Sequence, residues 1–273
     1  MFLLKDKTVL VTGAAGLLGK QHCIALASAG AMVILTDINQ QNFQSIVDEI
    51  CEAKPRNIRA YKLDVTNKDD VVALKDRLES EKIFVNVLVN NAAIDHKVTN
   101  TKYKHTEASR FEHFNPETFM TEIQVGLTGA MICAAVFGPS MAKRKDGIII
   151  NIASDLSIIA PDQRIYRIDG LSEELQPVKP VSYSVIKHGL HGLTKYLASY
   201  WGASNVRTNT LSPGGVKTDD MPDNFIKQLN ELIPLGRIAE LDEYHGTLIF
   251  LCSEHAKFMN GQNIVVDGGR SII

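Results

Sequence analysis

Seven short apolar runs, each too brief for a helix, recur along the chain and alternate with longer segments of helical periodicity. The runs are Thr8–Thr12, Met32–Thr36, Ile58–Leu63, Val87–Val89, Ile148–Ile152, Val206–Leu211 and Asn263–Val266. They are rich in β-branched residues and lack polar/apolar alternation, the pattern of strands buried on both faces. Between them, Gly19–Ala29, Asn42–Ala53, Lys68–Ser80, Pro116–Lys143, Tyr183–Trp201 and Leu241–Ser253 read as helices. Strand, helix and strand in succession pair parallel through a right-handed crossover, which puts helices on both faces of the sheet. The expectation is a doubly wound α/β fold on a seven-stranded parallel sheet.

A length of 273 residues with 45% apolar content suffices for one large core. No repeat, low-complexity tract or linker divides the chain, so residues 1–273 are expected to form a single domain. Two polar segments, Ile94–Asn115 and Leu156–Val181, exceed an ordinary connection. Each follows the carboxyl end of an expected strand, where open α/β sheets bind ligands, so both are read as substrate-gripping insertions.

The net charge is -2, with 29 basic and 31 acidic residues intermixed, which disfavours nucleic acid and anionic membranes as partners. Val125–Ala142 carries no charge and matches the shortest membrane span. Its Gly126, Gly129, Gly138 and Pro139 fit better with a buried helix at a contact between identical subunits. Cys23, Cys51, Cys133 and Cys252 stand far apart, with no metal-ligand spacing, and read as reduced core thiols. The opening MFLLKDKTVLVTGAAG runs straight into a strand and leaves no room for a signal peptide, so a cytoplasmic protein is expected.

The first strand leads into Gly13-Ala14-Ala15-Gly16-Leu17-Leu18-Gly19 and then a helix. This order places a pyrophosphate over a helix N-terminus, where backbone N–H groups and the dipole face the anion. Gly13 makes the tight turn, Gly16 lets the backbone approach phosphate, and Gly19 lets the helix lie close to the sheet. Asp37 ends the second strand, 18 residues after Gly19. Its carboxylate accepts from ribose hydroxyls and repels a 2′-phosphate, which favours NAD over NADP in a Rossmann-type site. Gly13, Gly16, Leu17, Leu18 and Asp37 are therefore candidate cofactor residues. A turn former after a strand is the other reading of Asp37.

Further motifs follow in order: Asp64 after the third strand, Asn90-Asn91-Ala92-Ala93, Ser154 after the fifth, Tyr183-x-x-x-Lys187, Pro213-Gly214-Gly215, and a closing Asp-Gly-Gly. With the glycine turn, they resemble the short-chain dehydrogenase/reductase superfamily over nearly the whole chain. The resemblance implies that Asp64 and Val65 lie at the adenine end and Asn90 beneath the cofactor. It makes Asn91, Ala92, Ala93, Pro213 and Gly214 cofactor contacts, and sets Val216 and Thr218 against the nicotinamide amide. It also implies that Ser154 holds the substrate oxygen, while Tyr183 and Lys187 are catalytic and bind the cofactor.

Tyr183 and Lys187 share one helix face. Phenol ionises near pH ~10, and a neighbouring ammonium favours the phenolate that can take a hydroxyl proton. Tyr166 is a rival but has Gly170, not lysine, four residues on, and Ser157 is the runner-up to Ser154.

Three positions depart from the family's ordinary branch. Leu17 stands where TGxxxGxG has its middle glycine, giving the TGxxGxxG spacing of the branch that includes nucleotide-sugar epimerases. Ala93 replaces the last glycine of NNAG. Gly126 replaces the asparagine of VNLTGA that helps relay the proton, leaving Gln124, Thr128 or backbone-held water for that task.

The insertions bring His96, Lys97, Lys102, Lys104, His105, Arg110 and His113 from one side, and Arg164, Arg167 and Lys179 from the other. Such groups suit phosphate or carboxylate. With YRIDGLSEELQPVKPVSYSVIKHGL, the chain resembles oxidoreductases of bacterial surface-sugar and flagellin modification, hence of carbohydrate biosynthesis. The expected activity is NAD-dependent hydride transfer to or from a polar, sugar-like substrate, phosphorylated and nucleotide-linked forms included. An epimerase or dehydratase with tightly held NAD, or a non-catalytic dinucleotide sensor, are the alternatives. Family members are commonly tetramers, so a homodimer or homotetramer is expected.

Overall fold

All seven runs are strands in the computed structural model, which describes residues 4–53, 58–94 and 109–273. They are β1 (Thr8–Thr12), β2 (Met32–Asp37), β3 (Ile58–Lys62), β4 (Val87–Asn90), β5 (Gly147–Ile152), β6 (Val206–Pro213) and β7 (Asn263–Val266). They form one sheet in the order β3-β2-β1-β4-β5-β6-β7, every neighbouring pair parallel. The order reverses at β1, whose neighbours are β2 and β4, the switch point at which sheets of this kind form a binding crevice outside their carboxyl ends.

The helices are α1 (Leu17–Ser28), α2 (Phe43–Ala53), α3 (Lys68–Ser80), α4 (Pro116–Ile123), α5 (Gly129–Arg144), α6 (Val181–Trp201), α7 (Asp223–Glu231) and α8 (His245–Cys252). Alternate strand residues feed opposite layers. Val9, Val11, Val33, Leu35, Ile148 and Ile150 pack with α1, α2 and α8, while Leu10, Ile34, Leu88 and Ile149 pack with α3, α5 and Leu197 of α6. Each such buried side chain stabilises the fold by roughly 1.5–3 kcal/mol.

Three helix assignments change. The expected Pro116–Lys143 helix is interrupted by a π-helical turn at Gln124–Thr128, closed by the Gly129 N–H on the Gln124 carbonyl. A polar segment not expected to be regular forms α7, whose Leu229 packs with Ile165, Ile233 and Ile238 beneath the Leu156–Val181 insertion. The Leu241–Ser253 helix starts only at His245. The stretch Pro116–Arg144 is long and apolar enough to cross a membrane, yet half of its most apolar window is buried within the protein. Cys133, Ala134, Phe137 and Met141 lie against the sheet.

A buried polar ladder fixes α6. Asn90 of β4 donates to Asn151 of β5 at 2.9 Å, Asn151 donates to Thr194 of α6 at 2.8 Å, and Thr194 lies 2.7 Å from Thr210 of β6. Gly126 of the π-helical turn, which faces Ile186 of α6, is a steric requirement, since a Cβ there would sit 2.8 Å from Ile186 Cγ2. Cys23, Cys133 and Cys252 are free and buried. Burial raises all three thiols, Cys133 and Cys252 to about 12, while the side chain of Cys51 lies outside those described.

His22 of α1 is fully enclosed, and neither ring nitrogen has a hydrogen-bond partner among the described residues. Burial first, then His245, lowers it to about 3 from 6.5. The native state then binds fewer protons than the unfolded chain between these values. Stability falls as pH drops through that window, by about 1.4 kcal/mol per unit. His22→Leu should therefore flatten the loss of urea midpoint between pH 7 and pH 5; parallel losses in both proteins would refute the neutral buried imidazole. Gly126→Asn should destabilise by about 1–3 kcal/mol through overpacking. Adding Ile186→Ala should recover much of that loss in the same unfolding assay.

Candidate active site

The crevice at β1 and β4 begins with the glycine turn. Gly13 adopts φ +63, and a Cβ there would lie 2.7 Å from Ala92 Cα. At Gly19 it would lie 2.0 Å from the Gly13 carbonyl, so both glycines serve close approach within the protein. Gly16 differs: a Cβ would meet only the Gly13 carbonyl at 3.3 Å, and its surface is open. Asn91 pins the turn by donating from Nδ2 to the Thr12 and Gly13 carbonyls at 3.0 Å. Thr12 Oγ1 accepts the Asn91 and Ala92 N–H groups. Ala93 is exposed at the rim.

Gly16 precedes α1 without a capping side chain, and no acidic residue lies in the first turn. By contrast, Asn67 caps α3 and Asn115 caps α4. The Leu17 and Leu18 N–H groups have no intrahelical partner at such positions. The uncapped N-terminus of α1 at the switch point is a cradle that fits an anion such as pyrophosphate. Lys20, beside the turn, pairs with Glu49 at 2.5 Å.

Asp37 combines both readings of its sequence. Oδ2 accepts the Ala15 N–H at 3.0 Å and Oδ1 the Asn39 N–H at 2.9 Å, so it shapes the turn. A carboxylate oxygen has two acceptor sites, which leaves one on each for ribose hydroxyls. Asp64 Oδ1 accepts from the N–H and hydroxyl of Thr66, and Val65 is buried against Gly129. Asn90, at the carboxyl end of β4, donates its amide to the Ala130 carbonyl and to Asn151.

Lys187 reaches the carboxyl end of β5, two residues before Ser154. Lys187 is buried and donates to the Ile152 carbonyl at 2.9 Å. One helical turn earlier, the Tyr183 ring has Lys187 Nζ at 5.7 Å and Lys179 Nζ at 3.9 Å from its centroid. The rival Tyr166 packs on Phe225 at 5.6 Å, in the cluster beneath the insertion. Tyr244 is buried and donates to the Gly214 and Gly215 carbonyls, its phenol pushed up chiefly by burial. It clamps the loop after Pro213. Gly214 donates to the Val266 carbonyl, Val216 is buried and bridges to Ala239, and Thr218 donates to Asp220 at 2.6 Å.

Around Ser154 lie its runner-up Ser157 and further groups that the sequence did not point to, Asp155, His191, Ser212 and Arg270. The Ser154 hydroxyl is 2.9 Å from Asp155 Oδ1, and Asp155 Oδ2 accepts from buried Arg270 at 2.8 Å. Ser157 donates to the Ser154 carbonyl, and its oxygen is 2.9 Å from His191 Nε2. Ser212 spends its proton on Asn263 at 2.7 Å, so His191 donates to this cluster through Nε2. Burial, then His188 and Lys195, lowers His191 from its usual range. No sequence signal reaches Asp155 and Arg270, which are 115 positions apart.

The insertion arginines differ from expectation. Arg164 pairs with Asp162 at 2.6 Å, Arg167 with Glu173, and Arg110 with Glu112 at 3.0 Å. These cations are balanced within the loops and are not held out for an anionic substrate. His96, Lys97, Lys102, Lys104 and His105 lie outside the described residues.

Two family models match the chain: short chain dehydrogenase over residues 7–166, and enoyl-(acyl carrier protein) reductase over residues 171–271. A 2-dehydro-3-deoxy-D-gluconate 5-dehydrogenase of Bacillus subtilis is 32% identical, covering 98% of this chain and 96% of that one. A 3-oxoacyl-(acyl-carrier-protein) reductase of Thermotoga maritima is 29% identical, covering 97% and 98%. The post-translational flagellin modification protein A of Campylobacter coli is 27% identical, covering 98% of each. A crystal structure of a gluconate 5-dehydrogenase from Burkholderia cenocepacia, in complex with NADP and tartrate, superposes with TM-score 0.84. It is 26% identical and covers 100% of this chain and 98% of that one. In sequence, strand order and the arrangement at the rim of β5, the chain belongs to the short chain dehydrogenase family of oxidoreductases.

Proposed function

We propose that the protein is an NAD-dependent dehydrogenase of a polar, sugar-like substrate, with Tyr183 moving the proton. The observation that carries this is the approach of two ammonium groups to the Tyr183 ring, one of them, Lys187, tied to the strand end that leads to Ser154. Positive charge beside a phenol favours its ionised form, which takes a hydroxyl proton in oxidation and returns it in carbonyl reduction. Bound NAD supplies the hydride acceptor at the reacting carbon. The chain's own part is to hold and orient: α1 N–H groups with Gly13, Gly16, Leu17 and Leu18 for pyrophosphate, and Asp37 for the adenosine ribose. Asp64 and Val65 take the adenine end, with Asn91, Ala92 and Ala93 along the crevice. Pro213, Gly214, Val216 and Thr218 take the nicotinamide side, and Lys187 its ribose.

The sugar-like reading rests on the gluconate-type and flagellin-modification relatives and on the polar Leu156–Val181 insertion over the rim. Its internally paired arginines favour a neutral polyol portion over a phosphate as the group gripped there. Buried free thiols suit the reducing cytoplasm. Tyr196 and Tyr200, stacked and both more than 60% exposed on α6, suit a contact between identical subunits.

A screen of polyols, aldonates and nucleotide-linked sugars, read by NADH absorbance, should find a substrate. Tyr183→Phe should then lose turnover by at least 100-fold while NAD binding, read by calorimetry, persists. Turnover retained by the variant would remove Tyr183 from the reaction. The wild type should prefer NAD to NADP, and Asp37→Ser should narrow that preference at least tenfold in kcat/KM; a wild-type preference for NADP would overturn the ribose assignment.

A further inference from the structure

Helix α8 opens on a tyrosine that the proposed reaction does not use. Tyr244 stands at its N-cap position, is 1% exposed, and sets its hydroxyl against the loop that follows β6. The phenol oxygen lies 3.1 Å from the Gly214 carbonyl and 3.3 Å from the Gly215 carbonyl. A carbonyl only accepts, and burial pushes the phenol well above its usual range, so Tyr244 keeps its proton and shares it between the two. The Ala239 N–H reaches the Gly215 carbonyl as well, at 3.3 Å.

Two successive carbonyls drawn to one side also fix the donors behind them. The peptide bonds of the described residues are all trans. Across a trans peptide, the C=O of one residue and the N–H of the next point in opposite directions. The Gly215 and Val216 N–H groups therefore both face away from Tyr244. The donors on either side are spent inside the protein, Gly214 N–H on the Val266 carbonyl and Lys217 N–H on the Ala239 carbonyl, each at 2.9 Å. The pair between them has no hydrogen-bond partner among the described residues, and Gly214 and Gly215 are both partly exposed. Adjacent N–H groups on one side of a backbone form a concave donor pair that suits a single oxygen.

We infer that Tyr244 is a positioning residue for the cofactor, setting the Gly215 and Val216 N–H groups as a pair that receives the carboxamide oxygen of the nicotinamide. A carboxamide oxygen has two lone pairs for two donors, and ADP-ribose lacks that group. The inference rests on the proposed placement of the nicotinamide beside this loop and adds what holds the loop in shape. Tyr244→Phe keeps the ring and removes the shared proton, which leaves the Gly214 carbonyl without this donor and Gly215 with Ala239 alone. Carbonyls short of a donor turn to find another, and the two N–H groups turn with them.

Two binding measurements, neither of which needs a substrate, test this. In the wild type, hydrogen exchange read by mass spectrometry should show NAD slowing exchange in a peptide covering residues 212–218, whereas ADP-ribose protects only the glycine turn at residues 13–19. This measurement needs no variant and stands whether or not Tyr244→Phe folds. In Tyr244→Phe, calorimetry should show NAD bound about tenfold more weakly, the effect of about one lost buried hydrogen bond, and ADP-ribose bound within about twofold of the wild type. A merely structural role would weaken both ligands alike. Equal weakening, or a variant that binds NAD as the wild type does, overturns the inference, and so does protection of residues 212–218 by ADP-ribose equal to that by NAD. Those results leave the dehydrogenase reading standing. A wild type that gives the expected binding results but turns over no polyol removes that reading and leaves the role of Tyr244 in place.

Discussion

Helix α6 is held to the sheet by polar bonds as well as apolar contact, and the candidate site depends on that. The ladder from Asn90 through Asn151 and Thr194 to Thr210 spans three strands and the helix in one buried chain. Buried hydrogen bonds are directional, whereas apolar packing alone tolerates sliding. The ladder therefore sets the register of α6, and Lys187, two turns before Thr194, arrives at the Ile152 carbonyl. Tyr183 follows one turn earlier. A helix displaced by one residue would take both groups off the rim.

The same crowding explains a departure from the family pattern. Ile186 lies beside Lys187 and presses on Gly126, so the space an asparagine side chain would need is filled by Ile186 Cγ2. The π-helical turn at Gln124–Thr128 carries the chain past this contact without breaking the helix. An apolar contact thus replaces a polar side chain. At the end of β5, Ser154, Asp155, Arg270, Ser157, His191 and Ser212 form a connected polar set.

Charge in this protein is mostly spent locally. The arginines of the insertion pair with acids two to six residues away, whereas the buried pair of Arg270 with Asp155 joins the carboxyl-terminal segment to the loop after β5. Exposed pairs of the first kind contribute little to stability. Breaking the buried pair would strand a charge in the interior and cost several kcal/mol, so it ties the chain's last segment to the geometry of Ser154.

The fold was legible because its cause is local: apolar runs of strand length alternating with helical periodicity leave few arrangements other than a parallel sheet covered on both faces. The glycine turn and the Tyr183–Lys187 spacing were legible for the same reason, since residues within one turn or one helical repeat are neighbours by covalent geometry. Helix α7 was not, because its short apolar face has meaning only against Ile165 and Ile233. Neither the balancing of Arg164 and Arg167 nor the dual role of Asp37 follows from composition. The Asp155–Arg270 pair was beyond reach, being made of residues 115 positions apart that meet only once β5, β6 and β7 lie side by side. The sequence by itself determined the scaffold and the spacing of Tyr183 and Lys187, and only the tertiary structure brought Arg270 onto Asp155 beside Ser154, because that contact needs the last segment of the chain laid against the end of β5.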